Sequence, residues 1–385
     1  MQGHIRKRGK GSWAVVIDLG RDPSTGKRRQ LWRSLKGTKR EAETLLVQLL
    51  HQRDIGIDSP AGKITLGEYL EGWVQQYARA NLAPKTFLQY SWAVRSHLTP
   101  GLGSINLTKL RPQHIQAWYS RALQRGRIDG RGGLSSKTVL HIHRVLREAL
   151  QHAVRWQMLS GNPADAVVPP RPVRYEPSVL SVEDVRRLLA VAASTTHGPL
   201  VHTAVMTGLR RGELLGLRWQ DVDLGAGVIH VRQTAQWLPG QGSIFRSPKT
   251  ERSRRAVVLA PSTVQVLREH RCSQLEERLA VGAAYQEYGL VFATPLGTPM
   301  DPSNLRRAWR RIVKSFGLTG LRFHDLRHAH ATLMLLGGVH PKVVSERLGH
   351  SSVGITLDTY SHVLPSLQAQ AAVSLERLFA AGKDA

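Results

Sequence analysis

The sequence predicts a multidomain, mainly α-helical chain with small β-sheets. Its 385 residues exceed one ordinary domain, at roughly 100–200 residues each. With 41% hydrophobic and 21% charged residues, each domain can bury a core. Apolar residues mostly recur at three-to-four spacing, and runs rich in β-branched residues occur only near the start and around residues 228–259. The expected order is a small α+β module at 1–60, an all-helical domain at 61–166, a linker at 167–178, and a mainly helical domain with a β-hairpin or small sheet at 179–385.

In the first module, Gly11 to Gly20 (GSWAVVIDLG) reads as a strand and Asp22-Pro-Ser-Thr-Gly26 as a turn. Lys27 to Leu35 reads as a second strand. Thr38 opens a helix, with Glu41 completing a capping box and Leu45, Leu46, Leu49 and Leu50 forming its apolar face.

The second domain should hold four helices. Thr65 caps the first, which carries Leu66, Tyr69, Leu70, Trp73 and Tyr77. Pro84 opens the next, with Phe87, Tyr90, Val94 and Leu98 on one face. Pro112 starts the third, holding Ile115, Trp118 and Leu123. Arg125 to Gly133 (RGRIDGRGG) is a basic loop, and Ser136 to Met158 is the long fourth helix. Val168 to Ser178 (VPPRPVRYEPS) is a stiff, basic linker by composition.

In the last domain, Ser181-Val-Glu-Asp184 is a capping box for a helix over Val182–Ala193. Val228 to Trp237 and Ile244 to Leu259 read as strands around a turn at Pro239-Gly-Gln-Gly242. The remainder is mostly helical, ending in a segment from Pro365 to Ala381 that packs on its own domain or docks on a neighbouring protomer.

Charge narrows the partner. Lys and Arg number 54 against 28 Asp and Glu, a formal +26 spread along the chain. Such a surface attracts polyanions, nucleic acid first and an anionic membrane surface second. No apolar run nears the ~18 residues that span a bilayer, so no membrane partner is expected, nor a secretory leader. The single cysteine, Cys272, rules out an intrachain disulfide or a multi-cysteine zinc site. A cytoplasmic, nucleoid-associated location is expected.

Three segments can carry chemistry. In Thr207-Gly-Leu-Arg-Arg-Gly-Glu213, Gly208 breaks one helix and Arg210 sits at the junction with the next, where Glu213 can brace it. In Phe323-His-Asp-Leu-Arg-His-Ala-His330, His324 and Arg327 share a helical face, as an anion site needs, while Leu326, Ala329, Leu333 and Leu336 face the core. A rival reading makes His324, Asp325, His328 and His330 metal ligands. In Glu346-Arg-Leu-Gly-His350, Gly349 closes a helix opened by Pro341, and Tyr360 follows beyond a further short helix. Each segment alone has a bland reading: a solvated arginine, a chance histidine cluster, a packed tyrosine.

In this order, a Gly-Leu-Arg box, a His-x-x-Arg box, a Leu-Gly-His box and a late tyrosine resemble the tyrosine recombinase (phage integrase) family. The resemblance is strong over about residues 178–365, follows the family's core-binding domain in layout over 61–166, and is similar to the arm-binding module of mobile-element integrases over 1–60. It implies that Arg210, Arg327 and His350 hold the scissile phosphate, that Glu213 orients Arg210, and that Tyr360 is the nucleophile. It further implies Lys249 as the hairpin lysine and His324 as the residue preceding the second arginine. Arg252, Arg254 and Arg255 would position phosphates. The basic loop and linker suggest Arg125, Arg127, Arg131, Arg171 and Arg174 as further DNA contacts.

The chemistry agrees. Two arginine forks stay charged at any working pH and can stabilise a pentacoordinate phosphate without a metal. A phenol with a pKa near ~10 needs a base or a positive field, which His324 and the arginines supply, and Lys249 can protonate the leaving 5′-oxygen. A phosphotyrosine conserves the bond energy, so neither cofactor nor ATP is expected. The expected partners are double-stranded attachment-site DNA, a homo-tetramer on that DNA, and DNA-bending and directionality proteins. The competing readings are a non-enzymatic DNA-binding regulator, a metal-dependent phosphohydrolase and a monomeric type IB topoisomerase.

Overall fold

The computed structural model describes residues 3–21, 26, 28–54, 64–173, 180–248, 254–317 and 320–360, together with Val373 and Glu376. The chain divides into two compact units, Met1–Arg174 and Tyr175–Ala385.

The first unit has two separate cores. β1 (Gly3–Gly9), β2 (Ser12–Arg21) and β3 (Arg28–Lys36) form an antiparallel sheet in that order, backed by α1 (Lys39–Asp54). Val15 and Ile17 of β2 are buried against Ala42 and Leu49 of α1. The expected capping box forms: the Thr38 N–H donates to Glu41 Oε2 at 2.8 Å, and the Glu41 N–H donates to Thr38 Oγ1 at 3.3 Å. β1 went unread because its segment, GHIRKRG, holds one apolar side chain, Ile5. Its place comes from backbone pairing with β2, His4 opposite Val16, which side-chain patterning does not report.

The helical core comprises α2 (Leu66–Trp73), α3 (Arg79–Asn81), α4 (Pro84–Ala93), α5 (Thr99–Leu102), α6 (Pro112–Arg125) and α7 (Ser136–Arg155). The capping box of Thr65 and Glu68 starts α2. Each of the first two expected helices runs through a π-helical turn, Val74–Ala78 and Val94–Leu98, before α3 and α5 finish it. Leu66, Leu70, Trp73, Ile115, Ile142 and Leu146 are almost fully buried, each such side chain contributing about 1.5–3 kcal/mol. Two polar contacts cross this core: the Tyr69 hydroxyl donates to the Ala149 carbonyl at 2.6 Å, and Trp73 Nε1 donates to His152 Nδ1 at 2.7 Å. Two expectations need correction. Leu123 is exposed and off the core face, and α7 stops at Arg155 because Gln157 turns to φ +58°, where a helix cannot continue.

The second unit opens with α8 (Val182–Ala193), capped by Ser181 and Asp184 as expected, then α9 (Gly198–Thr207) and α10 (Arg211–Leu215). Five short strands follow: β4 (Val222–Asp223), β5 (Val228–Val231), β6 (Thr234–Leu238), β7 (Gly242–Arg246) and β8 (Arg255–Val258). They form a sheet β4-β5-β8 and a hairpin β6-β7, not the two long strands expected. The first strand breaks at Gln233, whose Nε2 donates to the Gly216 carbonyl at 2.8 Å and turns the chain towards α10. Then come α11 (Pro261–Val281), α12 (Pro302–Ser315), α13 (Asp325–Leu336), α14 (Pro341–Leu348) and α15 (Val353–Tyr360). One core joins Leu188, Val201, Leu214, Ile229, Val257 and Trp309, among others. Leu336, expected in the core, is exposed. Tyr360 is the last residue of α15, not a residue beyond it. The expected terminal helix from Pro365 to Ala381 lies outside the described residues, apart from Val373 and Glu376. No helix among the described residues is long and apolar enough to cross a membrane.

Gly208 ends α9 in the left-handed region, φ +65°, and a Cβ there would stand 2.7 Å from both His330 Cδ2 and Leu348 Cδ2. The Gly208→Ala variant is therefore expected to lose more than about 1 kcal/mol of stability, from left-handed strain and from the clash together. Urea unfolding of the full chain measures it; a midpoint equal to wild type would mean that the turn relaxes freely.

Candidate active site

The three motif segments converge in the second unit on one turn, Leu348–Gly349. Arg210 stands at the start of α10. Its peptide N–H and Nη1 donate to the two oxygens of Glu213, at 2.9 and 2.8 Å, and its Nη2 donates to the Gly349 carbonyl at 3.0 Å. Arg327, one turn into α13 and only 4% exposed, donates from Nη1 to the Gly208 carbonyl at 2.8 Å and from Nη2 to the Leu348 carbonyl at 2.7 Å. Both guanidinium groups thus hold the turn that presents His350. The His350 Nδ1 lies 2.8 Å from Thr356 Oγ1 on α15, which orients the ring.

Glu213 carries a second fork. Arg255 Nη2 lies 2.9 Å from one carboxylate oxygen and Nη1 lies 3.2 Å from the other, while Nε donates to the Arg347 carbonyl at 2.6 Å. Burial pushes the Glu213 carboxyl up, but the hydrogen bonds and charges of Arg255 and Arg210 outweigh it and hold it below the ordinary value. Arg347 in turn donates to the carbonyls of Val258 and Met206 and to His330 Nε2. His330 Nδ1 bonds the Val205 carbonyl at 2.8 Å, so its ring is neutral with the proton on Nδ1.

The cations set the histidines. Burial first, then Arg327, Arg210 and Arg255, pulls His350 down to about 4. Burial and Arg347 do the same to His330, also to about 4. His324 falls to about 4 through burial, His328, Arg327 and Arg210. Its accessible surface is nevertheless large, so burial there means crowding on one side and not exclusion of water. His324 shares with Arg210, Arg306, Trp309, Arg310 and Arg322 the wall of a cavity of about 640 Å³. Neutral imidazoles and charged guanidinium groups around an open cavity can bind an anion and accept a proton.

Of the residues singled out in the sequence, Arg210, Glu213, Arg255, His324, Arg327 and His350 are brought together. Lys249, Arg252 and Arg174 lie outside the described residues. Tyr360 is described as the end of α15, which packs on α14. Arg125, Arg131 and Arg171 are exposed on the first unit; so is Arg127, paired with Asp129 at 2.6 Å. Arg254 is exposed. Arg255 departs from its expected place: its side chain is 6% exposed and turned inward, because the strand alternation of β8 puts it on the same face as buried Val257. The metal alternative also fails on geometry. Asp325 accepts from the Arg322 N–H at 2.8 Å, both His330 nitrogens are engaged, and no cluster of three potential ligands exists among the described residues. The sequence reading missed Arg347, Thr356, and Arg306 and Arg310 of α12. The last two were legible as a basic i, i+4 pair beside Leu305 and Trp309.

A site that gathers fixed cations and neutral imidazoles ahead of a tyrosine belongs to the class that handles phosphodiesters. Residues 178–366 match the family model described as "Phage integrase family", residues 65–123 that of "Phage integrase, N-terminal SAM-like domain", and residues 4–52 that of "Arm DNA-binding domain". A "Tyrosine recombinase XerC-like" protein of Caldanaerobacter subterraneus subsp. tengcongensis is 31% identical over 97% of this chain and 98% of its own. The "ICEBs1 integrase" of Bacillus subtilis is 25% identical over 97% and 99%. Among solved structures, the Tn1549 transposon integrase in complex with a circular intermediate DNA aligns with TM-score 0.67 and 21% identity over 82% of this chain and 99% of that one. A lambda integrase tetramer bound to a Holliday junction aligns with TM-score 0.56 and 21% identity over 90% and 95%. The chain belongs to the phage integrase family of tyrosine recombinases, enzymes of site-specific DNA recombination.

One consequence of the depressed histidines is measurable. The unfolded chain takes up protons at His330 and His350 below about pH 6.5, whereas the folded chain resists doing so until about pH 4. The stability they contribute is complete above the unfolded value and drains away as pH falls through this window. Thermal unfolding followed from about pH 7.5 to about pH 4.5 should show a falling midpoint, and a His330→Gln variant should flatten the fall. A midpoint level in both proteins would contradict the assignment.

Proposed function

We propose that this recombinase cuts and rejoins DNA through a covalent bond to Tyr360, integrating or excising a mobile element without metal or ATP. The observation that carries the reading is the convergence of Arg210 and Arg327 on the carbonyls of Gly349 and Leu348, beside His350.

In the proposed reaction, Arg210, Arg327 and His350 bind the non-bridging oxygens of one phosphate. The Tyr360 oxygen attacks phosphorus and the bond to the 5′-oxygen breaks. The phenolic proton goes to His324, which is neutral at physiological pH, and Lys249 gives a proton to the departing 5′-hydroxyl. The 3′-phosphotyrosine that forms is attacked by another 5′-hydroxyl in the reverse sense, closing the new strand. The preset field does most of the work, because it needs no reorganisation as charge develops on the phosphate.

For the rest of the chain, residues 1–60 would read arm-type DNA. Residues 61–166 and 179–385, joined by 167–178, would close on the core site in the cytoplasm, with Arg125, Arg127, Arg131, Arg171, Arg174, Arg252 and Arg254 on phosphates. A tetramer on the synapsed DNA, with DNA-bending and directionality proteins, completes the proposal. The likeness of fold to the lambda integrase tetramer and the formal charge of +26 support it.

A nicked suicide duplex tests the nucleophile. Wild type should give a protein band attached to a 3′ DNA end without divalent metal, and Tyr360→Phe should give none; an adduct retained in Tyr360→Phe removes the assignment. Affinity for the duplex should fall about 10³-fold or more between roughly 50 and 200 mM salt if six or more phosphates are neutralised. A nearly salt-independent affinity would exclude a DNA grip of this kind.

A further inference from the structure

We propose that Arg255 is a positioning residue for strand cleavage, a buried clamp that holds Glu213 and the end of α14 so that Arg210 and His350 meet one phosphate in register. The proposal rests on the reading of the pocket given above.

The geometry separates Arg255 from its neighbour. Arg254 is exposed, as a phosphate contact would be. Arg255 lies one residue on, and the period of two along β8 places it with Val257 and Leu259, both buried. There it joins three pieces of chain. Its two terminal nitrogens meet both oxygens of Glu213 from α10, and its Nε holds the carbonyl of Arg347 in α14. The turn leaves room for it: a Cβ on Gly349 would lie 3.0 Å from Arg255 Nη1 and 3.2 Å from Cδ. Gly349 is also the residue whose carbonyl Arg210 holds. Arg255 and Arg210 therefore grip the same carboxylate and the same turn from two sides.

This arrangement fixes what its loss should do. The charged groups bonded to Glu213 are Arg210, at the start of its own helix, and Arg255, from β8; Arg347 of α14 touches Arg255 through its carbonyl. Without Arg255, the buried carboxylate keeps one cation, and burial then favours its protonated form. A protonated Glu213 holds the Arg210 fork less firmly, so cleavage should slow at acid pH first. A guanidinium that merely touched DNA would not move that profile.

The test is single-turnover cleavage of a nicked suicide duplex by full-length wild type, Arg255→Gln, Arg255→Lys, Glu213→Gln and the Arg255→Gln/Glu213→Gln double variant. Salt titrations of binding and thermal midpoints are measured on the same samples. Arg255→Gln should cleave on the order of 100-fold more slowly, with the salt slope of wild type and an acid limb moved to higher pH. Arg255→Lys, which keeps the charge without the fork, should recover part of the rate and return the limb towards wild type. The double variant should be no slower than the slower single one, because the two residues act as one unit. A salt slope lowered by about 0.9 would make Arg255 a phosphate contact and overturn the clamp, as would an unchanged rate or an unmoved acid limb. Loss of folding in both Arg255 variants would make it a folding residue and overturn the proposal equally. Failure of wild type itself to form an adduct would remove the reading of the pocket, and the clamp with it; a cleaving wild type matched by Arg255→Gln removes the clamp alone.

Discussion

The buried carboxylate of Glu213 stands between Arg210 and Arg255, and the arrangement of the pocket depends on it. Arg210 and Arg255 bond it directly; Arg327 and Arg347 stand behind, bonded to carbonyls of Gly208, Leu348, Val258 and Met206. At an effective dielectric constant of about 20, unit charges ~4 Å apart interact by about 4 kcal/mol. Carbonyl dipoles offset such repulsion only in part, so the free pocket keeps a positive surplus. An anion in the cavity would complete the charge balance, as the proposed phosphodiester does.

The same field explains why the histidines are useful. A histidine facing water would be partly protonated near neutrality. Within this pocket burial first, then the neighbouring cations and, for His324, His328, hold His350 and His324 at about 4, so both rings are neutral near pH 7. His330 plays no part at the cavity. Its two nitrogens link the Val205 carbonyl to Arg347, so it fixes the support beneath the site. Three histidines close in sequence and chemistry thus divide into one wall group, one pocket group and one structural strut, a division set by which neighbours each ring meets.

Much of this was legible in the sequence, for identifiable reasons. Capping boxes at Thr38, Thr65 and Ser181 are local chemistry, and each helix starts where its box says. Gly208 and Gly349 each end a helix in the left-handed region, which an L side chain avoids. The strands were read poorly because β1 is placed by pairing, and because a side chain sixteen residues or more away, such as Gln233 reaching back to Gly216, can break a run that looks continuous. Arg255 was misread for a related reason. A basic run reads as one solvated face, yet strand alternation points every second residue inward, and only the fold reveals that Glu213 waits there to receive it. Arg347 was invisible, since two of its partners are backbone carbonyls that any residue could provide and the third, His330, reads as one of several clustered histidines.

The residues proposed to react also share a placement that the fold makes general. Arg210 and His324 stand at helix starts, His350 just past a helix end, and Tyr360 at the end of α15. A side chain in mid-helix must lie on a face, either buried or wet, whereas one at a terminus can project into a cleft while its helix stays packed. The start of α13 adds the positive end of a helix dipole, the right sign for an anion. Arg327 lies in the first turn of α13 and is buried, bonded to the carbonyls of Gly208 and Leu348. From there it joins the end of α9 to the end of α14. A site of this kind tolerates change on the helix faces and resists it at the turns, since the turns set the distances between the forks and the ring.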